Sequence, residues 1–258
     1  MFSEHLIAHR GASAYSPENT LSAFKKAVLM GARWVEFDVM LSKDGEAFIF
    51  HDETLERTTN GKGKFGYVNA EYIRTLDAGS SFSKSFAGEP VPALSTVLTW
   101  LSENDVHANI EIKPFPGFSQ ETASATLQAI HRYWPNHEGR LLVSSFDLEA
   151  LRLCRQLEPE MKLGLLLNKW QEDSLICAKD LNCISIHLNR KITTAVRVKQ
   201  LKNSDFLVCA FTVNRKREAE RFLAWGVDAV FTNYPDLFEL TLKRKLFKKI
   251  LDKKTIVA

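Results

Sequence analysis

A chain of 258 residues is long enough to bury a large core and has the usual length of a single α/β barrel. Hydrophobic residues make up 45% and charged residues 25%, an ordinary globular balance, and a net charge of +3 is too mild to argue for a nucleic-acid partner. No uninterrupted apolar run approaches the length of a bilayer span, so stable membrane insertion is not expected.

The opening residues, Met1-Phe2-Ser3-Glu4-His5, lack the charged and apolar regions of a signal peptide. Leu6-Ile7-Ala8-His9 reads as a short strand running into His9-Arg10-Gly11. Ser16 then looks like an N-cap, with Pro17 at the first helical position and Glu18 in the first turn. That helix would carry Leu21, Phe24, Ala27 and Val28 on one face and stop at Gly31. A second strand follows over 33–40. Only Ser42-Lys43-Asp44-Gly45 separates it from the next apolar run, too short for a parallel crossover, so the two form an antiparallel hairpin turning at Asp44-Gly45. The hairpin brings His51 back to the level of Glu36 and Asp38.

Residues 52–92 are rich in glycine and aromatics without clear periodicity, and read as a small inserted cap with no core of its own. Strands and helices then alternate regularly. Helices are predicted over 94–101, 119–133, 147–156, 172–179, 193–201 and 216–225, with Gly226 as a stop and a last helix from Pro235. The strands between them cover 107–113, 141–145, 162–167, 183–187, 206–213 and 227–232. Leaving the hairpin aside, eight parallel strands make an α/β TIM (β/α)8 barrel, one domain over 1–258 with the 52–92 segment inserted. An open doubly wound sheet is the alternative, but no Gly-x-Gly-x-x-Gly follows the first strand.

In such a barrel the C-terminal ends of the strands build the site. Side chains two apart on a strand share a face, so Glu36 and Asp38 point the same way, flanked by the apolar Trp34, Val35 and Phe37. Two buried carboxylates repel unless a cation lies between them. Glu111 and Lys113, again two apart, end the following barrel strand; His9, Arg10 and His51 reach the same mouth. Three carboxylates suit one divalent cation, Mg²⁺ or Ca²⁺, better than zinc. Arg10 and Lys113 are the positive charges expected around a phosphate, and two histidines can act as general acid and base. Phe115 and Phe118 fall on this face, either walling a pocket or closing the barrel top, and His187 is placed at a strand end where it could line the mouth. The four cysteines, Cys154, Cys177, Cys183 and Cys209, lie in apolar segments without Cys-x-x-Cys spacing, which suits reduced thiols in a cytoplasmic protein. The basic tail beyond residue 242 reads as a barrel helix with a solvated face rather than a membrane-surface helix.

Together, His9-Arg10-Gly11, Pro17-Glu18-Asn19-Thr20, Glu36-Phe37-Asp38, His51-Asp52 and Glu111-Ile112-Lys113 resemble the glycerophosphodiester phosphodiesterases. The resemblance continues through Arg57-Thr58-Thr59, Ser144-Ser145-Phe146, Phe211-Thr212-Val213-Asn214 and Gly226-Val227-Asp228, and is greatest toward the short cytosolic bacterial members associated with glycerol-3-phosphate uptake. It implies a TIM barrel with an insertion after His51 and a divalent ion on Glu36, Asp38 and Glu111. It also implies His9 and His51 as the acid/base pair, and Arg10 and Lys113 on the phosphate. Phe211 stands where many members have Trp and Asn233 where many have Asp, which bears on the shape of the glycerol or headgroup pocket. The implied reaction is metal-dependent hydrolysis of small glycerophosphodiesters, such as glycerophosphocholine or glycerophosphoethanolamine, to sn-glycerol 3-phosphate and an alcohol, by a monomer or homodimer. Two rivals are a phospholipase C- or D-like barrel acting on lysolipids and a barrel that holds phosphate esters without turnover.

Overall fold

The alternating apolar runs close into a ring. The computed structural model describes Phe2, residues 5–171 and residues 173–238. Its strands are β1 (Leu6–His9), β2 (Trp34–Leu41), β3 (Ala47–Ile49), β4 (His107–Ile112), β5 (Leu141–Ser145), β6 (Leu163–Leu167), β7 (Ser185–Asn189), β8 (Leu207–Phe211) and β9 (Ala229–Thr232). All but β3 pair in parallel, in the order β1-β9-β8-β7-β6-β5-β4-β2, and a β1–β2 pairing completes the circle. The result is the expected (β/α)8 barrel, with β3 added outside the ring on β2. The helices are α1 (Leu21–Leu29), α2 (Ala70–Arg74), α3 (Leu94–Glu103), α4 (Ser119–Tyr133), α5 (Leu148–Leu157), α6 (Ser174–Asp180), α7 (Ala195–Lys202) and α8 (Lys216–Ala224). All except α2 lie in crossovers between successive barrel strands. Among the described residues no helix is long and apolar enough to cross a membrane.

The two faces of β2 show how the sequence divides its labour. Val35, Phe37 and Val39 join Phe24, Leu94, Val97 and Leu98 in the layer between sheet and helices. Trp34, on the other face, joins Ile7, Leu142, Cys209, Ala229 and Phe231 in a second cluster, where alternation along each strand turns these residues into the lumen. Burying each such large side chain contributes roughly 1.5–3 kcal/mol. Further along the same inner face, apolar residues give way to Glu36, Asp38, Asn109, Glu111 and Ser144, all buried. The barrel is thus plugged at one end and polar at the other.

The hairpin turns where expected. Gly45 adopts φ +84° and its N–H bonds to Ser42 O at 3.0 Å. Val39, Met40 and Leu41 face Ile49, Phe48 and Ala47, and Phe50 N–H still reaches Asp38 O at 3.0 Å, delivering His51 to the mouth. The inserted segment differs from its sequence reading in one respect: it does gather an apolar cluster. Leu55, Phe65, Ile73, Leu76 and Val91 pack together by borrowing Met40, Phe48 and Phe50 from the hairpin. An edge strand with an apolar outer face supplies what so short a segment lacks.

Three elements depart from the sequence reading. Helix α1 starts at Leu21 with Thr20 as N-cap, its Oγ1 accepting from Ala23 N–H at 3.2 Å, so residues 16–19 belong to the loop at the mouth. Asn19 sits there at φ +58°, bonded to the site, and that tertiary contact overrides the local helix-start signal. Strand β7 runs two residues beyond the expected end. His187 is therefore central, fully buried, with its ring 5.1 Å from Phe231, and does not line the mouth. Residues 235–238 form a turn where the last helix is expected to start, and the rest of that helix, with the basic tail beyond residue 242, lies outside the described residues.

Gly11 is the tightest point of the mouth. It has φ +78°, and a Cβ there would stand 2.6 Å from the Ala23 backbone carbon. Gly11→Ala is expected to destabilise the fold by on the order of 2–4 kcal/mol, from the left-handed conformation and overpacking together. Urea denaturation measures it, and an unchanged midpoint would contradict the close approach.

Candidate active site

The first strand ends at His9, directly beside Glu36 in the parallel register, and Asp38 is beside Glu111 in the next pairing. Adjacent strand ends therefore deliver the three acids and one imidazole to one level. One oxygen each from Glu36, Asp38 and Glu111 lies within 4.8 Å of the others, and the residues are only 2%, 1% and 8% exposed.

Burial, followed by repulsion from Asp38, pushes the Glu36 carboxyl well above the usual carboxylate range and Glu111 up to about 8. Burial acts on Asp38 too, but Arg10, His51 and Lys113 outweigh it and hold that carboxyl down. Ionised together, the three carboxylates would carry more negative charge than Arg10 and Lys113 offset, so in the absence of a further cation Glu36 and Glu111 hold on to their protons. Buried oxygens with excess negative charge are the donor set of a hard divalent ion, and these three side chains can hold one.

Arg10 wraps this cluster. It adopts φ +56°, a conformation that costs a non-glycine residue about 1–2 kcal/mol. The compensation is direct: its backbone N–H donates to Glu36 Oε2 at 3.0 Å, and its Nε lies 3.3 Å from Asp38 Oδ2. Asn19 Nδ2 donates to the same Asp38 oxygen at 2.9 Å. Lys113 follows β4, and its charge acts on Asp38, Glu111 and His51.

The two histidines are held differently. His9 Nδ1 is 2.9 Å from Asn233 Oδ1, so the amide oxygen accepts from Nδ1–H and Nε2 keeps its lone pair, 4.0 Å from Glu36 Oε2. Burial first, then Arg10, brings His9 down to about 4. His51 Nδ1 instead meets a carboxylate, Asp52 Oδ1, at 2.6 Å. Burial lowers His51 as well, with Arg10 and Lys113 behind it and Asp38 and Asp52 opposing.

Seven of the eight residues singled out in the sequence thus act on one another at the mouth. The eighth, Phe211, ends β8, and its ring packs edge-on against Phe146 at 5.7 Å. Phe115 packs against Tyr67 and the inserted segment's cluster, and Phe118 is exposed at the start of α4. Asn233 contacts His9 itself rather than a pocket wall.

From the sequence alone Glu18 belongs to a helix start, and neither it nor Asn19, Asp52 or Arg57 has a place in the site. Arg10 Nη1 donates to Glu18 Oε1 at 2.7 Å, and Arg57 donates to both Glu18 and Asp52. Burial acts to raise Glu18, but the Arg57 hydrogen bonds and the Arg10 charge hold it at about 2. Their one sequence signal was their place inside the quoted motifs; loop residues carry no periodicity.

Residues 9–237 match the model of the Glycerophosphoryl diester phosphodiesterase family. A glycerophosphodiester phosphodiesterase of Caldanaerobacter subterraneus subsp. tengcongensis is 37% identical over 244 residues, spanning 93% of this chain and 98% of its own. One from Bacillus subtilis is 35% identical over 256 residues, covering 92% and 86%. Among solved structures, a phosphodiesterase of Oleispira antarctica in complex with the product sn-glycerol-3-phosphate aligns with a TM-score of 0.89 at 34% identity, over 93% of this chain and 96% of that one.

Proposed function

The chain belongs to the glycerophosphoryl diester phosphodiesterase family, and on that premise we propose that this enzyme hydrolyses soluble glycerophosphodiesters to sn-glycerol 3-phosphate and a free alcohol. Glycerophosphocholine and glycerophosphoethanolamine are the substrates to try first. The observation that carries the reading is the meeting of three buried carboxylates within 4.8 Å with the charges of Arg10, His51 and Lys113.

Glu36, Asp38 and Glu111 would hold one divalent ion, Mg²⁺ or Ca²⁺, as an all-oxygen set suits. When bound, such an ion supplies positive charge against the phosphoryl oxygens. Arg10 and Lys113 bind the phosphate and keep it in line with the attacking oxygen. His9, kept neutral by burial and bonded through Nδ1 to an uncharged amide, takes at Nε2 the proton of the attacking hydroxyl, from water or the glycerol 2-hydroxyl, as its oxygen bonds to phosphorus. His51, whose Nδ1–H faces the Asp52 carboxylate, is better able to carry positive charge and gives its proton to the leaving alkoxide. Phe211, packed against Phe146, walls the glycerol side.

The same proposal treats 1–258 as one domain, because the 52–92 insertion shares its apolar cluster with the barrel hairpin. All these groups come from one chain, so either a monomer or a homodimer serves. Four free thiols, three of them buried, suit a reducing compartment such as the cytoplasm.

Incubation with glycerophosphocholine and Mg²⁺ or Ca²⁺, followed by assay of sn-glycerol 3-phosphate, tests the reading. Release that stops on chelation is the expected result. Release from lysolipid alone would transfer the assignment to a lipase, and no release with either ion would remove it.

A further inference from the structure

Arg57 belongs to the inserted segment and gives its hydrogen bonds to Glu18 and Asp52, outside the three clustered carboxylates. Its guanidinium serves two carboxylates at once. Nη1 and Nη2 donate to Glu18 Oε2 and Oε1 at 2.8 and 2.7 Å, while Nε and Nη2 donate to Asp52 Oδ2 and Oδ1, the latter at 2.9 Å. Each carboxylate has a second partner inside the site. Glu18 Oε1 accepts from Arg10 Nη1 at 2.7 Å, and Asp52 Oδ1 lies 2.6 Å from His51 Nδ1.

We propose that Arg57 is a positioning residue for the diester hydrolysis: by gripping Glu18 and Asp52 together, it orients the Arg10 guanidinium and the His51 imidazole toward one another's task. The proposal rests on the functional reading given above.

The reasons are geometric. A planar guanidinium offers five donors in a fixed fork and fixes a carboxylate plane when it binds through two of them. Here one fork fixes two planes, and with them the second partner of each. Without it, Glu18 and Asp52 would face each other with like charge, and both are partly exposed, at 22% and 21%, with room to swing into water. A lysine in the same place is a point charge and cannot hold both planes. Arg57 itself is 49% exposed, where a single ion pair would add little to stability; what a forked guanidinium on two carboxylates adds beyond a single pair is fixed geometry. The arrangement also joins three separate pieces of chain: the loop before α1, the end of the hairpin and the insertion.

Two measurements on Arg57→Ala test this. In kinetics with glycerophosphocholine, kcat/KM is expected to fall about 10²-fold, as a misplacement of about an ångström costs. The loss should appear in both kcat and KM, because one oriented group moves a proton and the other binds phosphate. Glu18→Gln should fall mainly on KM and Asp52→Asn mainly on kcat. Added guanidinium ion should recover part of the Arg57→Ala loss, and Arg57→Lys should lie between the two. A crystal structure of Arg57→Ala should show Asp52 turned away from His51 and Glu18 from Arg10.

Parent-like turnover in Arg57→Ala, or both contacts intact in its structure, overturns the proposal. An Arg57→Ala chain that does not fold, beside an Arg57→Lys chain that turns over like the parent, makes Arg57 a structural staple and overturns it too. The crystallographic readout needs no turnover. If the parent hydrolyses no diester, the functional reading falls while the orientation by Arg57 is still decided.

Discussion

His51→Ala is expected to lower kcat on glycerophosphocholine by about 10²–10⁴-fold, the contribution of a positioned acid or base, with the fold intact. His51 is partly exposed and its Nδ1 bonds to Asp52, a partly exposed carboxylate that Arg57 also holds, so its removal leaves no buried polar group unpaired. His9→Ala should cost a similar factor. The two losses should separate on a glycerophosphodiester whose alcohol is 4-nitrophenol, because that oxygen leaves without needing a proton. On this substrate His51→Ala should regain much of its rate, whereas His9→Ala, lacking the group that takes the first proton, should not. The assignment follows from the partner on each Nδ1: an amide oxygen from Asn233 for His9, a carboxylate from Asp52 for His51. Recovery of His9→Ala instead would exchange the roles, and parent-like turnover in both variants would remove acid/base catalysis from this pair.

The second large effect is expected at Glu111 and has two opposite parts. Glu111→Gln should cut kcat/KM by about 10³-fold or more, several kcal/mol of lost charge stabilisation around the phosphoryl group. The same substitution should raise the stability of the metal-free protein at pH 7. Burial and Asp38 push the Glu111 carboxyl up to about 8, so folding at neutral pH takes up a proton the unfolded chain releases. A raised carboxyl destabilises the fold progressively as pH climbs above its unfolded value, and a neutral amide removes that cost, on the order of 3 kcal/mol at pH 7. Added Mg²⁺ or Ca²⁺ should raise the unfolding midpoint of the parent and leave that of the variant nearly unmoved. Thermal unfolding with and without the ion checks both signs. A metal-free variant less stable than the parent, still stabilised by the ion, would show that Glu111 is not part of the ion-holding set.

The strand ends were the most legible part of the molecule. Glu36 and Asp38 lie two apart in an eight-residue strand buried throughout, so alternation alone places both on the inner face, and the structure keeps them there. The same argument placed Glu111, and the short connection after Leu41 forced the hairpin that returns His51. Helix α4 is found at its expected bounds of Ser119–Tyr133, because an uninterrupted run of helical periodicity leaves little to decide. Failures came where a local signal met a distant partner. Ser16-Pro17-Glu18 has the chemistry of a helix start, yet Glu18 serves Arg10 and Asn19 serves Asp38, and the helix waits until Leu21. His187 is a strand end by its sequence, whereas its pairing with Leu166 and Cys209 sets it in the middle of the ladder.

Periodicity of side chains along one segment was enough to determine the barrel, the polar inner face of β2 and β4, and the identity of the acids that meet there. Tertiary structure alone decided what the loops do with one another. Asn233 reaches His9 across 224 residues and Arg57 reaches Glu18 across 39, and neither residue lies in a repeating pattern that could announce its partner. Alternation within a strand is a local consequence of backbone geometry, written into consecutive residues. A hydrogen bond between two loops exists only once the ring has closed and brought their ends to the same mouth.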